Sequence, residues 1–379
     1  MNITITEDDR GLSDALNRFC QDVIAPKAAD IDEGSLSATC HRQALSDIGI
    51  MGMNLPGAYS GTGASAVALY LAVENLAGAC GSTASMVTAH FLATDSILLG
   101  GTEEQKQAWL PDAASGRTLG AFALTEPSAG SNPAAMRTFA EKTAAGYRLR
   151  GVKHFISNAA EADFLIVYAK TDKSAGHRGI SAFIVDRHSA GVTVASPERT
   201  MGLKGGHVFE VALDCEVPAE NLLGGVEGTG FRTAMQVLDN GRVEIAASCT
   251  GIARAAYEAA LFWANTREVN NHPIGEFQGL QWMIADMATD LEAARMFGLK
   301  AATKREAGER FSVESAMAKL YASEAAGRIT DKALQIHGGY GYTREMPLER
   351  YVRDVRIMRI YEGSSEVQRN IIARTALNG

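Results

Sequence analysis

Glu362 is the residue whose neighbours best equip it for chemistry. The run RIYEGSSEVQRNIIAR, Arg359 to Arg374, opens with apolar residues, sets one carboxylate beside Gly363 and continues in helical period. A carboxylate in apolar surroundings has a raised pKa and serves as a base near neutral pH. The same run also reads as an ordinary helix start, where Glu and Ser are common in the first turn. Four further segments carry candidate groups. Phe122 to Thr138, FALTEPSAGSNPAAMRT, gathers Thr125, Ser128, Gly130, Ser131 and Asn132. Small residues let a ligand approach the backbone, and hydroxyls with free N–H groups suit a phosphate or a polar ring edge; a solvent-facing turn is equally open. Asn132 before Pro133 fits an N-cap and the first position of a short helix. Phe155 and Ser157 share one face of a strand and could flank a flat ring, or be a core Phe beside an exposed Ser. Asp239 and Arg242, three apart at a helix start, form either a surface ion pair or part of a nucleotide site. Gly338-Gly339 permits a helix exit at positive φ, as a bare backbone surface or as a simple C-cap.

Three blocks of sequence must position these groups. Residues 7 to about 117 read as helical, with Leu12, Leu16, Phe19 and Ile24 on one face, a glycine-rich break at Pro56–Gly63, and a capped start at Thr102-Glu103-Glu104. Near Arg117 the texture changes to short β-rich runs at Tyr147–Arg150, Phe164–Tyr168, Ile180–Val185 and Val208–Leu213, the pattern of a small antiparallel β-domain. Helical period returns at roughly 231–267, 277–307, 312–337 and 364–376, as in an antiparallel bundle. The expected architecture is α+β: an N-terminal helical domain (1–118), a central antiparallel β-barrel or sandwich domain (119–226) and a C-terminal four-helix bundle (227–379).

Composition narrows the function. At 379 residues the chain exceeds one ordinary core. A formal charge of −8 disfavours nucleic acid or anionic membrane as a main partner. No apolar run is long enough to span a bilayer, and MNITITEDDR lacks the apolar core of a signal peptide. Cys20, Cys40, Cys80, Cys215 and Cys249 have no metal spacing and read as buried thiols of a reducing cytoplasm, so no metal site is expected.

The runs LTEPSAGS, FISNAA, VPAENLLG, QIHGGYGYTRE and YEGSSEVQR, in this order on a helix–β–helix plan, strongly resemble the acyl-CoA dehydrogenase family over nearly the whole chain. The resemblance implies FAD lying between the β-domain and the bundle. By motif position, Phe122, Leu124 and Thr125 would contact the flavin, Ser131 would reach the pyrophosphate or the CoA, and Phe155 stands where many relatives carry Trp. Ser157 takes the place of a Thr near flavin N5. Arg267, Gln278, Gln335, His337, Gly338 and Gly339 would hold the rest of FAD, partly across a subunit boundary, with Ser364 and Glu366 as further contacts. Asp239 and Arg242 would hold CoA, Tyr361 and Gly363 would line the substrate site, and Glu362 matches the catalytic base. The implied reaction is removal of the α-proton of an acyl-CoA with transfer of the β-hydride to FAD, giving a trans-2-enoyl-CoA. The implied assembly is a homotetramer, a dimer of dimers, with an electron-transfer flavoprotein as acceptor.

STASMVTAHFLATDSILLGG, KHFISNAA and LDNGRVEIAASC are most similar to short branched-chain members such as isobutyryl-CoA dehydrogenases. The acyl pocket would be lined by residues 82–99, by the region before Glu362 and by a helix beginning near Val243. His90 and Asp95, polar among apolar neighbours, are either satisfied structural groups or the mark of a polar or cyclic acyl group. An oxidase, an enzyme for a carrier-bound acyl thioester and a catalytically silent FAD-binding subunit remain as alternatives. Two departures stand out. Asn132 replaces the family's usual Asp, and Asn270-Asn271 replaces a Phe-Gly pair, with Asn tolerating the left-handed backbone a Gly would supply.

Overall fold

The structure is a computed structural model and describes residues 5–378. Thr6 opens α1 (Glu7–Phe19) with a capping box to Asp9. Short α2 (Ala28–Glu33) and α3 (Arg42–Asp47) precede α4 (Ala66–Ala79), α5 (Gly81–Gly100) and α6 (Glu103–Ala114). Thr102 and Gln105 close a second capping box at α6. α4 and α5 are buried on nearly every face and carry mostly apolar or small residues, with Glu74, Asn75, His90 and Asp95 as buried polar exceptions. The expected common face of the first helix is broken. Leu16 and Ile24 are buried but Leu12, one turn nearer the start of α1, is exposed, and a π-turn at Cys20–Ile24 shifts the helical phase between Leu16 and Ile24. Cys40 is also exposed, since Ala38 and His41 take the buried positions of its short turn; the other four thiols are buried.

β1 (Gly120–Ala123), β2 (Phe139–Thr143), β3 (Gly146–Ser157), β4 (Phe164–Lys170), β5 (Ile180–Asp186), β6 (Val192–Val194) and β7 (Val208–Pro218) form one seven-stranded sheet. The order is β1-β4-β2-β3-β7-β6, with β5 on β4. Most pairs are antiparallel, but β4 has parallel neighbours on two sides, β1 along its length and β2 at Phe139–Lys170, because neither is joined to it by a hairpin. The loop after β1 holds a tight turn bridged between Glu126 and Ala129 and a 3₁₀ turn at Pro133–Ala135, which the Asn132 side chain does not cap. Phe164, Ile166 and Tyr168 pack against Ala93 and Ile97 of α5, so the sheet is seated on the N-terminal helices.

The bundle consists of α7 (Gly230–Thr266), α8 (Gln278–Glu306), α9 (Ser312–His337), two short helices α10 (Gly339–Tyr342) and α11 (Leu348–Arg356), and α12 (Ser365–Asn378). Between α7 and α8 lies the hairpin β8 (Glu268–Val269) and β9 (His272–Pro273), whose turn residues Asn270 and Asn271 both adopt positive φ (54° and 64°). α4 and α7 approach closely: a Cβ at Gly251 would stand 2.0 Å from the Glu74 carbonyl oxygen. No described helix is long and apolar enough to cross a membrane, and no His, Cys, Asp and Glu cluster among the described residues could hold a metal.

Candidate active site

Glu362 sits in the turn between α11 and α12 with φ of 52°, and Gly363 follows at 90°. A Glu in left-handed backbone is strained and persists only where its surroundings fix it. Here the clamp is explicit. Gln368 Nε2 donates to the Glu362 carbonyl at 3.2 Å and to the Gly363 carbonyl at 2.9 Å, and Lys319 Nζ donates to the Gly363 carbonyl at 2.7 Å. Gln368 and Lys319 are both fully buried.

The side chain points at α7. A Cβ built on Gly241 would lie 2.3 Å from Glu362 Oε2 and 2.8 Å from Leu92 Cδ2, so only glycine leaves room for this carboxyl. Oε2 is enclosed and accepts no hydrogen bond. Burial pushes the carboxyl up to about 7, against the positive charges of Lys319 and Arg242. This is a carboxylate with an unused lone pair and a proton affinity matched to neutral water, the physical requirement for a general base.

Asp239 and Arg242 form an ion pair at 2.6 Å, but not at the surface or at a helix start. α7 runs unbroken from Gly230, which places the pair within the helix, and the Arg242 side chain is only 7% exposed. Ser312 at the start of α9 also donates to Asp239, tying the pair to a second helix.

The β-domain residues assemble through a buried pair. Lys153 Nζ donates to the Leu124 carbonyl at 3.1 Å and to Glu126 Oε1 at 2.8 Å, and the His154 N–H donates to the Thr125 carbonyl at 2.9 Å. Leu124 and Thr125 are thereby held beside Phe155. The β3 register shifts between Lys153 and Ile156, and Phe155 has φ of 57°, which turns its ring out to 58% exposure, stacked on His154 at 4.1 Å. Ser157, two residues on, is half-buried, and Phe122 packs on Tyr168. Ser131 is exposed in the loop. Asn158 Nδ2 donates to the Met86 carbonyl on α5, the helix whose Leu92 lines the Glu362 carboxyl, so α5 bridges the two groups of residues.

A cavity of about 460 Å³ lies between the end of α7 and the end of α9, lined by Trp263, Arg267, His337, Gly338, Gly339, Tyr340 and Thr343 among others. Trp263 stacks on His337 with centroids 5.0 Å apart. His337 Nδ1 donates to the Ala333 carbonyl, which leaves Nε2 for a ligand, and burial holds the imidazole below its ordinary pKa. Gly338 ends α9 with φ of 59°, and a Cβ on Gly338 or Gly339 would meet nothing within 4 Å, so bare backbone faces outward here. Gln278, Gln335 and Glu366 are exposed and outside this lining, while Tyr361, Gly363 and Ser364 are half-buried beside Glu362.

The domain families described as acyl-CoA dehydrogenase N-terminal, middle and C-terminal match residues 6–117, 121–215 and 228–377. This chain belongs to the acyl-CoA dehydrogenase family. It is therefore of a class of oxidoreductases acting on CH–CH groups. It is 39% identical over 380 residues to "Acryloyl-CoA reductase (NADH)" of Anaerotignum propionicum, covering 100% of this chain and 96% of the relative. Among solved structures, butyryl-CoA dehydrogenase from Megasphaera elsdenii superposes with a TM-score of 0.96 at 38% identity, and a chain from a study of the electron transferring flavoprotein of Acidaminococcus fermentans with 0.97 at 41%; both chains are covered 100% in each comparison.

Several residues escaped the sequence reading. Gly241, Gln368 and Glu126 acquire meaning only through tertiary contact. Lys153 and Lys319 left a signal. Lys153 falls on the inward phase of β3 with Tyr147 and Leu149, and Lys319 falls on the buried stripe of α9 with Ser315, Ala322 and Ala326. His90 resolves as structural: its Nδ1 accepts from the Gly120 N–H and its Nε2 faces the Ala113 carbonyl, joining α5 to β1 and α6.

Proposed function

We propose that this protein is an FAD-dependent acyl-CoA dehydrogenase that introduces a trans-2 double bond into a short or branched acyl-CoA. The observation that carries the reading is the enclosed, unpartnered Oε2 of Glu362 with its pKa near 7. Glu362 takes the α-proton, and its backbone N–H bonds the thioester oxygen as negative charge builds there. A donor so placed is worth about 3–4 kcal/mol in the transition state. Asp239 and Arg242 hold the CoA portion, and Tyr361 and Gly363 border the acyl group. When bound, FAD accepts the two electrons that leave with the β-hydrogen. Phe122, Leu124, Thr125, Phe155 and Ser157 hold its ring, Ser131 its pyrophosphate, and Arg267, His337, Gly338 and Gly339 its adenosine half, with Gln278, Gln335, Ser364 and Glu366 as outer contacts. The free His337 Nε2 and the bare Gly338-Gly339 backbone fit a nucleotide. Similar proteins named for acryloyl-CoA and butyryl-CoA support a short acyl chain.

The working form in this reading is a cytoplasmic homotetramer that passes electrons to an electron-transfer flavoprotein. Phe262, Trp282 and Tyr342 stand 69%, 63% and 81% exposed, the kind of apolar surface that subunit contacts cover. The test of the reaction is Glu362→Gln, followed anaerobically by flavin bleaching with butyryl-CoA. The expected slowing is roughly 10²–10⁴-fold. Bleaching as fast as in the unsubstituted protein refutes the assigned base.

A further inference from the structure

α9 holds the turn that carries Glu362 at more points than the Lys319 contact. Lys319, Ser323 and Gly327 stand four residues apart, so they form one stripe along the helix. Lys319 Nζ donates to the Gly363 carbonyl. The Ser323 carbonyl accepts from Arg359 Nε at 3.4 Å. At Gly327 the stripe is bare, and the Arg359 guanidinium lies in the space: a Cβ on Gly327 would overlap it, 2.7 Å from Cζ. Glu324 stands beside the stripe. Its Oε1 accepts from the Ser365 hydroxyl at 2.7 Å, and its Oε2 faces Arg359 Nε at 3.5 Å.

Arg359 closes the 3₁₀ turn Ile357–Arg359 and Ser365 opens α12, so these two residues are the ends of the turn that holds Glu362. One carboxylate, fixed on a helix, meets both ends. The contacts from Gln368 and Lys319 hold the carbonyls of Glu362 and Gly363 but not the span between the ends. That span matters because Glu362 has φ of 52°, a strained backbone that relaxes unless its surroundings over-determine it. Ser365 is buried, and Glu324 and Arg359 are half-buried, so the contacts are partly shielded from water.

We propose that Glu324 is a positioning residue for the base: by taking Ser365 with one oxygen and Arg359 with the other, it sets the span of the turn and so the aim of the Glu362 carboxyl and backbone N–H. This rests on the acyl-CoA dehydrogenase reading above and adds to it a residue one layer behind the base. The charges that bear on the Glu362 carboxyl are those of Lys319 and Arg242. Glu324 and Arg359 act through geometry instead, so their loss slows proton removal without moving the pH at which Glu362 ionises.

Anaerobic flavin bleaching of the holoenzyme by butyryl-CoA tests the idea with three variants. Gly327→Ala displaces the Arg359 guanidinium and changes no group of the turn. Ala in place of Gly inside a helix favours the helix, so a role in folding alone predicts an equal or higher urea midpoint and an unchanged rate. The expected result is that midpoint with a rate at saturating butyryl-CoA lowered ~3-fold. Glu324→Ala, which frees both ends of the turn, is expected to lower the rate ~10-fold or more. The half-saturating concentration, the FAD content and the pH midpoint near 7 stay as in the unsubstituted protein. Glu324→Gln, still able to accept from Ser365, restores part of the rate; Gly327→Ala serves if the Glu324 variants do not fold. An unchanged rate in Gly327→Ala or Glu324→Ala overturns the proposal and leaves the dehydrogenase reading standing. So does a loss that only tracks missing FAD or a shifted pH midpoint. No bleaching of the unsubstituted protein by any acyl-CoA ends both.

Discussion

Glu126 and Glu362 are both carboxylates withdrawn from water, and their neighbours send them in opposite directions. Burial raises each. Glu126 then meets the Lys153 ammonium at 2.8 Å and the N–H groups of Arg137 at 2.6 Å and Thr138 at 3.0 Å, which together hold it below the ordinary carboxylate range. Glu362 has Lys319 and Arg242 only as nearby charges, nothing donates to its Oε2, and it stays up at about 7. Burial alone therefore does not make a base; burial without donors does. The first carboxylate is spent on structure, fixing the Leu124–Thr125 loop against β3. The second is kept available.

The contrast breaks most visibly at Glu126. Glu126→Gln leaves the Lys153 ammonium buried without its counter-charge, an arrangement that typically costs about 3–5 kcal/mol. Burial already pulls Lys153 down to about 8, so loss of its proton limits the damage at higher pH. Urea unfolding at pH 7 is expected to show a loss of that order; a change below about 1 kcal/mol means the pair is not what anchors the loop.

At Glu362 the sign reverses. A carboxyl whose folded pKa lies above its unfolded value of 4.5 favours the folded state at low pH, and that stability is lost as pH rises from 4.5 through about 7. Glu126, held below its ordinary value, contributes stability above that value and loses it as pH falls. Glu362→Gln is thus expected to stabilise the fold by up to about 3 kcal/mol at pH 8 and by almost nothing near pH 4, read from urea midpoints of the two proteins at both pH values. Equal midpoints at pH 8 would place the carboxyl in water.

What the sequence disclosed follows the same division. The long helices of the bundle were legible because α7, α8 and α9 repeat their buried positions in helical period, and the β3, β4, β5 and β7 runs because they are β-rich between turn residues. Glu362 was legible as one acid following the apolar Ile360-Tyr361 and preceding Gly363. Its freedom from partners was not, because that depends on what the chain withholds: Gly241 contributes no side chain, and α7 meets the Glu362 turn only after folding. Asp239 and Arg242 looked like a surface pair because a spacing of three says nothing about how deep a helix face lies. The π-turn at Cys20–Ile24 and the bulge at Phe155 are one-residue shifts of phase that periodicity averages away.

The finest test of the contrast is the charge on Lys319. Its Nζ donates to the Gly363 carbonyl, and its positive charge opposes the burial that raises Glu362. Lys319→Met keeps the length and removes the charge. Proton removal requires ionised Glu362, so flavin reduction by butyryl-CoA should rise with pH through a midpoint near 7. In the methionine variant the midpoint moves to higher pH by about one unit, the effect of losing a nearby opposite charge. Burial holds Lys319 itself down to about 8, so the difference between the two proteins should narrow above that pH as the unsubstituted lysine gives up its own proton. A midpoint that moves down, or a rate that falls equally at every pH, assigns Lys319 to holding the Gly363 carbonyl alone and leaves Arg242 as the charge that tempers the base.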